Sequence, residues 1–160
     1  MEIRQVAYDD PDVTRLVEEV QRYYLRIYGG PDTSRVDPAL FAPPGGAFYV
    51  GRLDRVPVAM GGWRLHQPGS AVLGHRAAEI KRMYVVEAAR GRGLARAMLA
   101  HLEQTAIAAG ADAMILETGR EQPEAIALYR SAGYDDVPRF GHYAAEPEAV
   151  HLGRVLAVRA

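Results

Sequence analysis

The sequence predicts an α/β fold whose strands are joined by both hairpins and helical crossovers. Strand-like and helix-like stretches follow one another in the order β, α, β-β-β, α, β, α, β-β. Two of the helical stretches separate strands in the second half of the chain, as crossover connections require. The 160 residues are 49% hydrophobic, enough to bury a sizeable core, so we expect a single domain over residues 1–160.

Clear boundary signals mark the first helix. Residues 2–6 predict a short strand, after which Asp10 supplies a capping side chain and Pro11 suits a first helical turn. Apolar residues then recur at helical spacing until Gly29-Gly30-Pro31 ends the pattern. The polar, proline-rich residues 32–46 predict a loop with one short helical turn.

A hairpin is predicted next. Residues 47–53 and 56–65 have strand patterns on either side of the turn Asp54-Arg55, which indicates an antiparallel pair. Gly61-Gly62 within the second strand indicates a bulge or a close approach of two backbones. Residues 66–76 predict a second loop that leads into the central strand.

The centre of the chain reads as strand, glycine-rich loop and helix. Residues 79–86 predict a strand, Arg90-Gly91-Arg92-Gly93 interrupts it, and an amphipathic helix pattern begins at Leu94. A helix N-terminus leaves about four backbone N–H groups unpaired and carries roughly half a positive charge. This order of elements therefore favours binding of a phosphate.

The last elements alternate again. Residues 113–118 predict a strand, and a helix begins near Pro123 and ends at Gly133 in a left-handed conformation. Residues 134–137 and 150–158 predict two final strands around a loop of residues 138–147.

Composition argues against several classes of function. With 19 basic and 20 acidic residues, the formal net charge of −1 gives no support for a general nucleic-acid or membrane partner. The absence of cysteine excludes disulfides and thiolate metal sites, and the histidine spacings match no metal motif, so we expect no metal. The N-terminus resembles no signal peptide and no apolar run reaches membrane-spanning length, which makes a cytoplasmic protein the expectation. A monomer and a homodimer both stay open.

Two motifs carry a family resemblance. The stretch from Arg90 to Ala95, RGRGLA, is similar to the Arg/Gln-x-x-Gly-x-Gly/Ala signature of the GNAT superfamily of acetyl-CoA-dependent N-acetyltransferases. Residues 125–134, AIALYRSAGY, resemble its second signature, although Gln122 stands where asparagine is commonest. The resemblance implies a three-layer fold with a mixed central β-sheet, flanked by helices and splayed between the fourth and fifth strands.

The same resemblance implies how acetyl-CoA would bind. The loop and first helical turn would hold the pyrophosphate through backbone amides and guanidinium groups. These residues are Arg90, Gly91, Arg92, Gly93, Leu94, Ala95 and Arg96. The strand Met83-Tyr84-Val85 would pair with the pantetheine arm, and a backbone N–H near Val85 would stabilise the developing oxyanion.

Catalytic candidates follow from the resemblance. Tyr129 would lie beside the CoA sulfur and protonate the departing thiolate. Glu79, six residues before Val85, is the first candidate for the base that takes the proton of the amine, provided burial raises its pKa. The alternative for Glu79 is a structural ion pair with Lys81 or Arg82, and Glu117 is then the substitute base or an anchor for a cationic acceptor.

The acceptor is not identified by the sequence. Tyr28, Glu117, Phe140 and Tyr143 are candidate substrate-binding residues because their elements should wall the acceptor pocket by analogy. Small amines, amino acids, antibiotics and protein amino groups all remain compatible with it. We therefore expect direct acetyl transfer to a primary amine in a ternary complex, the alternative being a non-catalytic acetyl-CoA-binding regulatory module.

Overall fold

The computed structural model of the chain describes residues 1–66 and 76–156. Within them it contains seven strands and three α-helices in the predicted order. These are β1 (Glu2–Val6), α1 (Pro11–Tyr28), β2 (Gly46–Leu53), β3 (Val56–Leu65), β4 (Ala77–Val85), α2 (Leu94–Ala108), β5 (Ala113–Gly119), α3 (Pro123–Ser131), β6 (Asp135–Asp136) and β7 (Ala149–Val155). Short 3-10 turns occupy Pro38–Phe41 and Glu87–Ala89. Most of the predicted loop 66–76 and the end of the last predicted strand, 157–158, lie outside the described residues.

The helix boundary signals are confirmed. The side chain of Asp10 accepts a hydrogen bond from the amide of Asp12 at 2.8 Å and caps α1. At the other end Gly29 has a φ of 75° and its N–H donates to the carbonyl of Leu25. Gly133, with a φ of 87°, follows the end of α3. None of the helices in the described part of the chain combines the length and apolar character needed to cross a membrane.

The sheet is mixed and opens in its middle. Its strand order is β1-β2-β3-β4-β5-β7-β6, and β4–β5 is the parallel pair. That pair is joined only between residues 77–79 and 113–115, whereas β4 continues to Val85 and β5 to Gly119. The two strands therefore diverge towards their carboxyl ends, which confirms the splay between the fourth and fifth strands.

A bulge interrupts β4 just where the strands diverge. Met60 of β3 faces Tyr84 and Gly62 faces Lys81, so β4 holds one more residue than β3 in this stretch. Arg82 has a φ of 56°, a left-handed conformation that is uncommon for a long side chain. A Cβ on Gly62 would lie 2.7 Å from the carbonyl oxygen of Ala47, so the predicted close approach of two backbones is present at the glycine pair. The extra residue of the bulge lies opposite this pair, in β4.

Helices cover both faces of the sheet. Helix α1 buries Val13, Leu16 and Val20 against one face, with Phe48 and Met60 of the sheet. Helix α2 packs on the opposite face through its buried residues, which are Leu94, Met98, Leu99, Leu102 and Ala106. Each face removes apolar surface from water, and this burial supplies most of the driving force for the three-layer arrangement.

Candidate active site

A cleft of about 890 Å³ occupies the region where β4 and β5 separate. Most of the site residues predicted from the sequence line it. They are Tyr28, Met83, Tyr84, Val85, Arg90, Gly91, Gly93, Leu94, Ala95, Arg96, Glu117, Tyr129 and Tyr143. The other three, Glu79, Arg92 and Phe140, lie outside its described lining.

The glycine-rich loop leads into an uncapped helix. Gly91 and Gly93 have φ angles of 74° and 75°, so the loop takes its turn at positions that disfavour other residues. Within the described part of the chain no side chain caps α2, and the first backbone hydrogen bond of the helix runs from Ala97 to the carbonyl of Gly93. The amides that precede Ala97 therefore lack intrahelical acceptors at the edge of the cleft.

The loop arginines differ from one another. The Nε of Arg90 donates to the carbonyl of Val85 at 3.0 Å, and its guanidinium lies 4.8 Å from the ring centroid of Tyr23. Arg96 lines the cleft and its Nη2 donates to the hydroxyl of Ser131. Arg92 is exposed. Arg90 is held by the backbone and by an aromatic ring, whereas Arg96 is exposed and contacts an exposed serine, so the helix amides and Arg96 are better placed to receive an anion.

The end of β4 presents backbone groups to the cleft. The amide of Val86 donates to the carbonyl of Val58 on β3 at 2.9 Å. Because successive amides of a strand alternate in direction, the amide of Val85 points away from β3, towards the gap. The side chain of Tyr84 turns to the α1 face, where its hydroxyl donates to Glu19 at 3.0 Å.

Tyr129 lies on α3 with its side chain in the wall of the cleft. Only 6% of the residue is exposed, and its ring contacts that of Tyr134 at 5.7 Å between centroids. Burial raises the pKa of Tyr129, with a smaller contribution from Tyr24. The phenol is therefore protonated at neutral pH and able to donate a hydrogen bond.

Glu79 is the centre of a buried ion-pair cluster. Its side chain is 2% exposed, and its oxygens lie 2.7 Å from Nε2 of His66, 3.0 Å from Nζ of Lys81 and 3.1 Å from Nη2 of Arg64. Burial alone would raise the pKa of Glu79, but the hydrogen bond from His66 and the charges of Lys81 and Arg64 outweigh burial and lower it to about 2. The pKa of Glu79 is therefore not raised, as the role of general base would require. The partner in the ion pair is Lys81 and not Arg82.

The surroundings of Glu117 change its pKa in the opposite direction to that of Glu79. It follows Ile115 on β5 by two residues, on the same face of the strand, and its side chain is 7% exposed. Among the described residues, neither carboxylate oxygen accepts a hydrogen bond of good geometry, although the backbone amide of Tyr143 lies nearby. Burial raises the pKa of Glu117 to about 7, and nearby Glu79 and Asp32 add to the increase, while Lys81 and the backbone amide of Tyr143 oppose it.

The three aromatic acceptor candidates occupy different places. The hydroxyl of Tyr28 accepts a hydrogen bond from Nε2 of Gln122 at 2.8 Å and contacts Gly119, so it joins α1 to the end of β5. The hydroxyl of Tyr143 donates to Oδ1 of Asp32 at 2.6 Å, which ties two loops together beside the cleft. Phe140, by contrast, is buried against Ala77, Ala113 and Ile115 rather than placed to stack on a substrate.

Three residues of this region were not among the site residues predicted from the sequence. Asp32 accepts from the amide of Ser34 and from Tyr143, and its Oδ2 lies 3.2 Å from Nη1 of Arg82. Gly141 has a φ of 75°, and a Cβ there would lie 2.1 Å from Oε1 of Glu117. The signal that could have found Asp32 is its position in the loop directly after α1. Arg82 and Gly141 carry no comparable signal.

A loop that presents backbone amides, the gap between β4 and β5 and two buried titratable side chains, Tyr129 and Glu117, thus lie in one cleft. The family profile described as the acetyltransferase (GNAT) family matches residues 13–134. The chain therefore belongs to the GNAT acetyltransferase family. It is also 34% identical over 144 residues to the IAA acetyltransferase of Azospirillum brasilense, covering 90% of each protein.

Solved structures share the fold. A candidate acyl-CoA N-acyltransferase from Klebsiella pneumoniae superposes with a TM-score of 0.78 at 26% identity, over 97% of each chain. The protein yncA from Salmonella typhimurium, solved with its cofactor acetyl-CoA, superposes with a TM-score of 0.71 at 19% identity, over 100% of this chain and 96% of that one. The mixed, splayed sheet of this chain, with helices on both faces, is thus the fold of its family.

Proposed function

We propose that this enzyme transfers an acetyl group from acetyl-CoA directly to a primary amine, with both substrates bound in the cleft at once. The observation that carries the proposal is the joint presence, in one cavity, of the glycine loop with uncapped α2, the unpaired end of β4, Tyr129 and Glu117. Direct transfer is favoured because no cysteine is present to form an acyl-enzyme.

The residues present fit acetyl-CoA. The amides at the start of α2 and the guanidinium of Arg96 would hold the pyrophosphate, and the end of β4 would pair with the amide groups of the pantetheine arm. The presence of acetyl-CoA in the structure of yncA supports acetyl-CoA as the cofactor. Acetyl-CoA would supply the acetyl group already activated as a thioester. The amide of Val85 would donate to the thioester oxygen as negative charge develops there.

Glu117 would act as the general base. A primary amine has a pKa near 10, so a proton has to leave before or during its attack. A carboxylate with a pKa of about 7 accepts that proton far better than one with a pKa of about 2, which favours Glu117 over Glu79. Glu79 would instead keep Lys81 and Arg64 in place beside the cleft.

Tyr129 would donate a proton to the departing sulfur. Its raised pKa keeps the phenol protonated, and its place in the wall of the cleft leaves the hydroxyl without a side-chain partner among the described residues. A thiolate whose conjugate acid has a pKa of about 8.5 would leave more readily with this hydrogen bond.

Two measurements test the proposal. Acceptor-dependent release of free CoA is followed over a panel of primary amines, and acetyl-CoA binding is measured in parallel by calorimetry. Gly93→Val should weaken acetyl-CoA binding at least about tenfold, because a β-branched residue is strained at a φ of 75° and disturbs the loop. If no amine stimulates CoA release while acetyl-CoA binds, amine acetylation is wrong. Unchanged affinity in Gly93→Val would contradict the assignment of the loop.

A further inference from the structure

Arg82 is a buried cation whose donors are not all used. Its side chain is 6% exposed, and it lines the cleft. Among the described residues, neither Nε nor Nη1 makes a hydrogen bond of good geometry. Buried donors of a charged group are costly to leave unpaired, so this arrangement calls for a ligand.

Asp32 uses only part of the hydrogen-bonding capacity of the Arg82 guanidinium. Oδ2 of Asp32 lies 3.2 Å from Nη1, and the phenol of Tyr8 also contacts the guanidinium. Oδ1 of Asp32 is already occupied, because it accepts from Ser34 and Tyr143. Asp32 therefore cannot form the two parallel hydrogen bonds that a guanidinium makes with a carboxylate.

The backbone holds Arg82 in this position at a cost. The bulge in β4 and the φ of 56° direct the side chain towards Asp32, on the α1 side of the sheet. Such a conformation is unfavourable for a residue other than glycine, and it persists where the surroundings impose it. Strain, burial and unused donors thus coincide in one residue.

Through Asp32, Arg82 is connected to Tyr143, one of the residues predicted to bind the acceptor. Its partner Asp32 is close enough to Glu117 to influence that carboxyl group, and Asp32 is tied to the loop that contains Tyr143. The phosphate-binding amides belong to α2, after the end of β4. A ligand group at Arg82 therefore belongs to the acceptor and not to the pyrophosphate.

We propose that Arg82 binds a carboxylate of the acceptor, so that the acceptors are amines that carry a carboxylate, such as amino acids. The planar fork of a guanidinium matches a carboxylate, whereas an amide or a neutral amine offers no negative charge to it. This inference rests on the proposed amine acetylation, since it assigns the second functional group of the same acceptor.

The test measures binding of matched ligand pairs to the CoA-saturated protein by calorimetry. Each pair is an N-acetyl amino acid and its C-terminal amide, with small, acidic and aromatic side chains represented. We expect the carboxylate member of at least one pair to bind about tenfold or more tightly than the amide, and Arg82→Gln to reduce that ratio to about twofold or less. A wild-type protein with no preference in any pair, or an unchanged preference in Arg82→Gln, overturns the inference.

Two further variants separate ligand binding from a structural role. Asp32→Asn keeps the Oδ1 acceptor but removes the competing charge, so it should bind the carboxylate members at least as tightly as wild type. If the Arg82–Asp32 pair is purely structural, Asp32→Asn and Arg82→Gln should lose affinity for the carboxylate members equally. That outcome also overturns the inference. Arg52→Gln, which breaks the Arg52–Asp12 pair away from the cleft, should leave the ratio unchanged. If Arg82→Gln does not fold, the affinity of Asp32→Asn for the carboxylate members decides. An equal or higher affinity than wild type supports the inference, and a lower affinity overturns it.

Turnover separates this inference from the proposed function. A carboxylate preference in binding, without CoA release from any amine, retains the Arg82 site and contradicts amine acetylation. Turnover that is equal for amino acids and their amides retains amine acetylation and contradicts the role of Arg82.

Discussion

Oε1 of Glu117 lies 3.6 Å from Nε2 of His151, yet the two side chains do not form a hydrogen bond. The imidazole N–H donates instead to the carbonyl of Phe140 at 3.0 Å, and burial lowers the pKa of His151 so that the ring is neutral. Glu117 therefore gains no compensating charge from its closest basic neighbour on β7. This missing ion pair helps to explain why its pKa rises while that of Glu79 falls.

The pH dependence of turnover should follow Glu117. The base acts in its ionised form, so kcat/KM should increase with pH through an apparent pKa near 7 and level off above it. Glu117→Gln should lose about a hundredfold in kcat/KM and also lose this acidic limb. A pH profile that keeps the same limb in Glu117→Gln would assign the base to another group.

Gly141→Ala should impair turnover through Glu117. The new Cβ would lie 2.1 Å from Oε1, so the carboxylate has to move, and we expect kcat/KM to fall about tenfold or more. Gly29→Ala is the matched control, because Gly29 has the same φ of 75° but an added Cβ would have no atom of the described residues within 4 Å. Both variants should lose about 1 kcal/mol of unfolding free energy from backbone strain, and only Gly141→Ala should lose activity. Equal turnover in the two variants would contradict this positioning of Glu117.

Tyr129→Phe should lower kcat by about a hundredfold and leave acetyl-CoA binding nearly unchanged, because only the proton donor is removed. Tyr134→Phe provides the comparison within the same aromatic pair. Its hydroxyl donates to Glu103 at 3.0 Å, so the substitution should reduce stability and not turnover. Steady-state kinetics over a range of pH checks both, and wild-type turnover in Tyr129→Phe would rule out proton donation by this residue.

Glu79→Gln should destabilise the protein at pH 7. The folded state lowers the pKa of Glu79 from its ordinary value of 4.5 to about 2, so its ionisation contributes about 3 kcal/mol above pH 4.5, and this contribution disappears as the pH falls towards 2. Urea unfolding at several pH values measures the effect. Undiminished stability in Glu79→Gln would argue against the structural cluster.

The ionisation of Glu117 should affect stability in the opposite direction. Its raised pKa reduces the free energy of unfolding as the pH increases towards 7 and beyond, so Glu117→Gln should not be destabilised at pH 8.

The element order and the sequence of glycine loop and helix could be predicted because their signals are local. Hydrophobic periodicity, the cap at Asp10 and the glycines around the helices are each contained in a few consecutive residues. The lowered pKa of Glu79 could not be predicted from local sequence, because Arg64 lies beside Glu79 only through the register of β3 against β4. The two ends of the Asp32–Tyr143 hydrogen bond are 111 residues apart, and no local pattern encodes such a contact.

The splay places the unpaired strand backbone of the sheet in its interior. Its outer strands offer little to a neighbouring molecule, because β6 consists only of Asp135 and Asp136 and β1 carries the exposed pair Glu2 and Arg4. Exposed backbone at a sheet edge ordinarily invites intermolecular strand addition, and short or charged edges discourage it. Here the unpaired backbone lies between two interior strands, within a cleft. The protein can thus keep strand-pairing capacity for a small molecule without exposing it to other polypeptide chains.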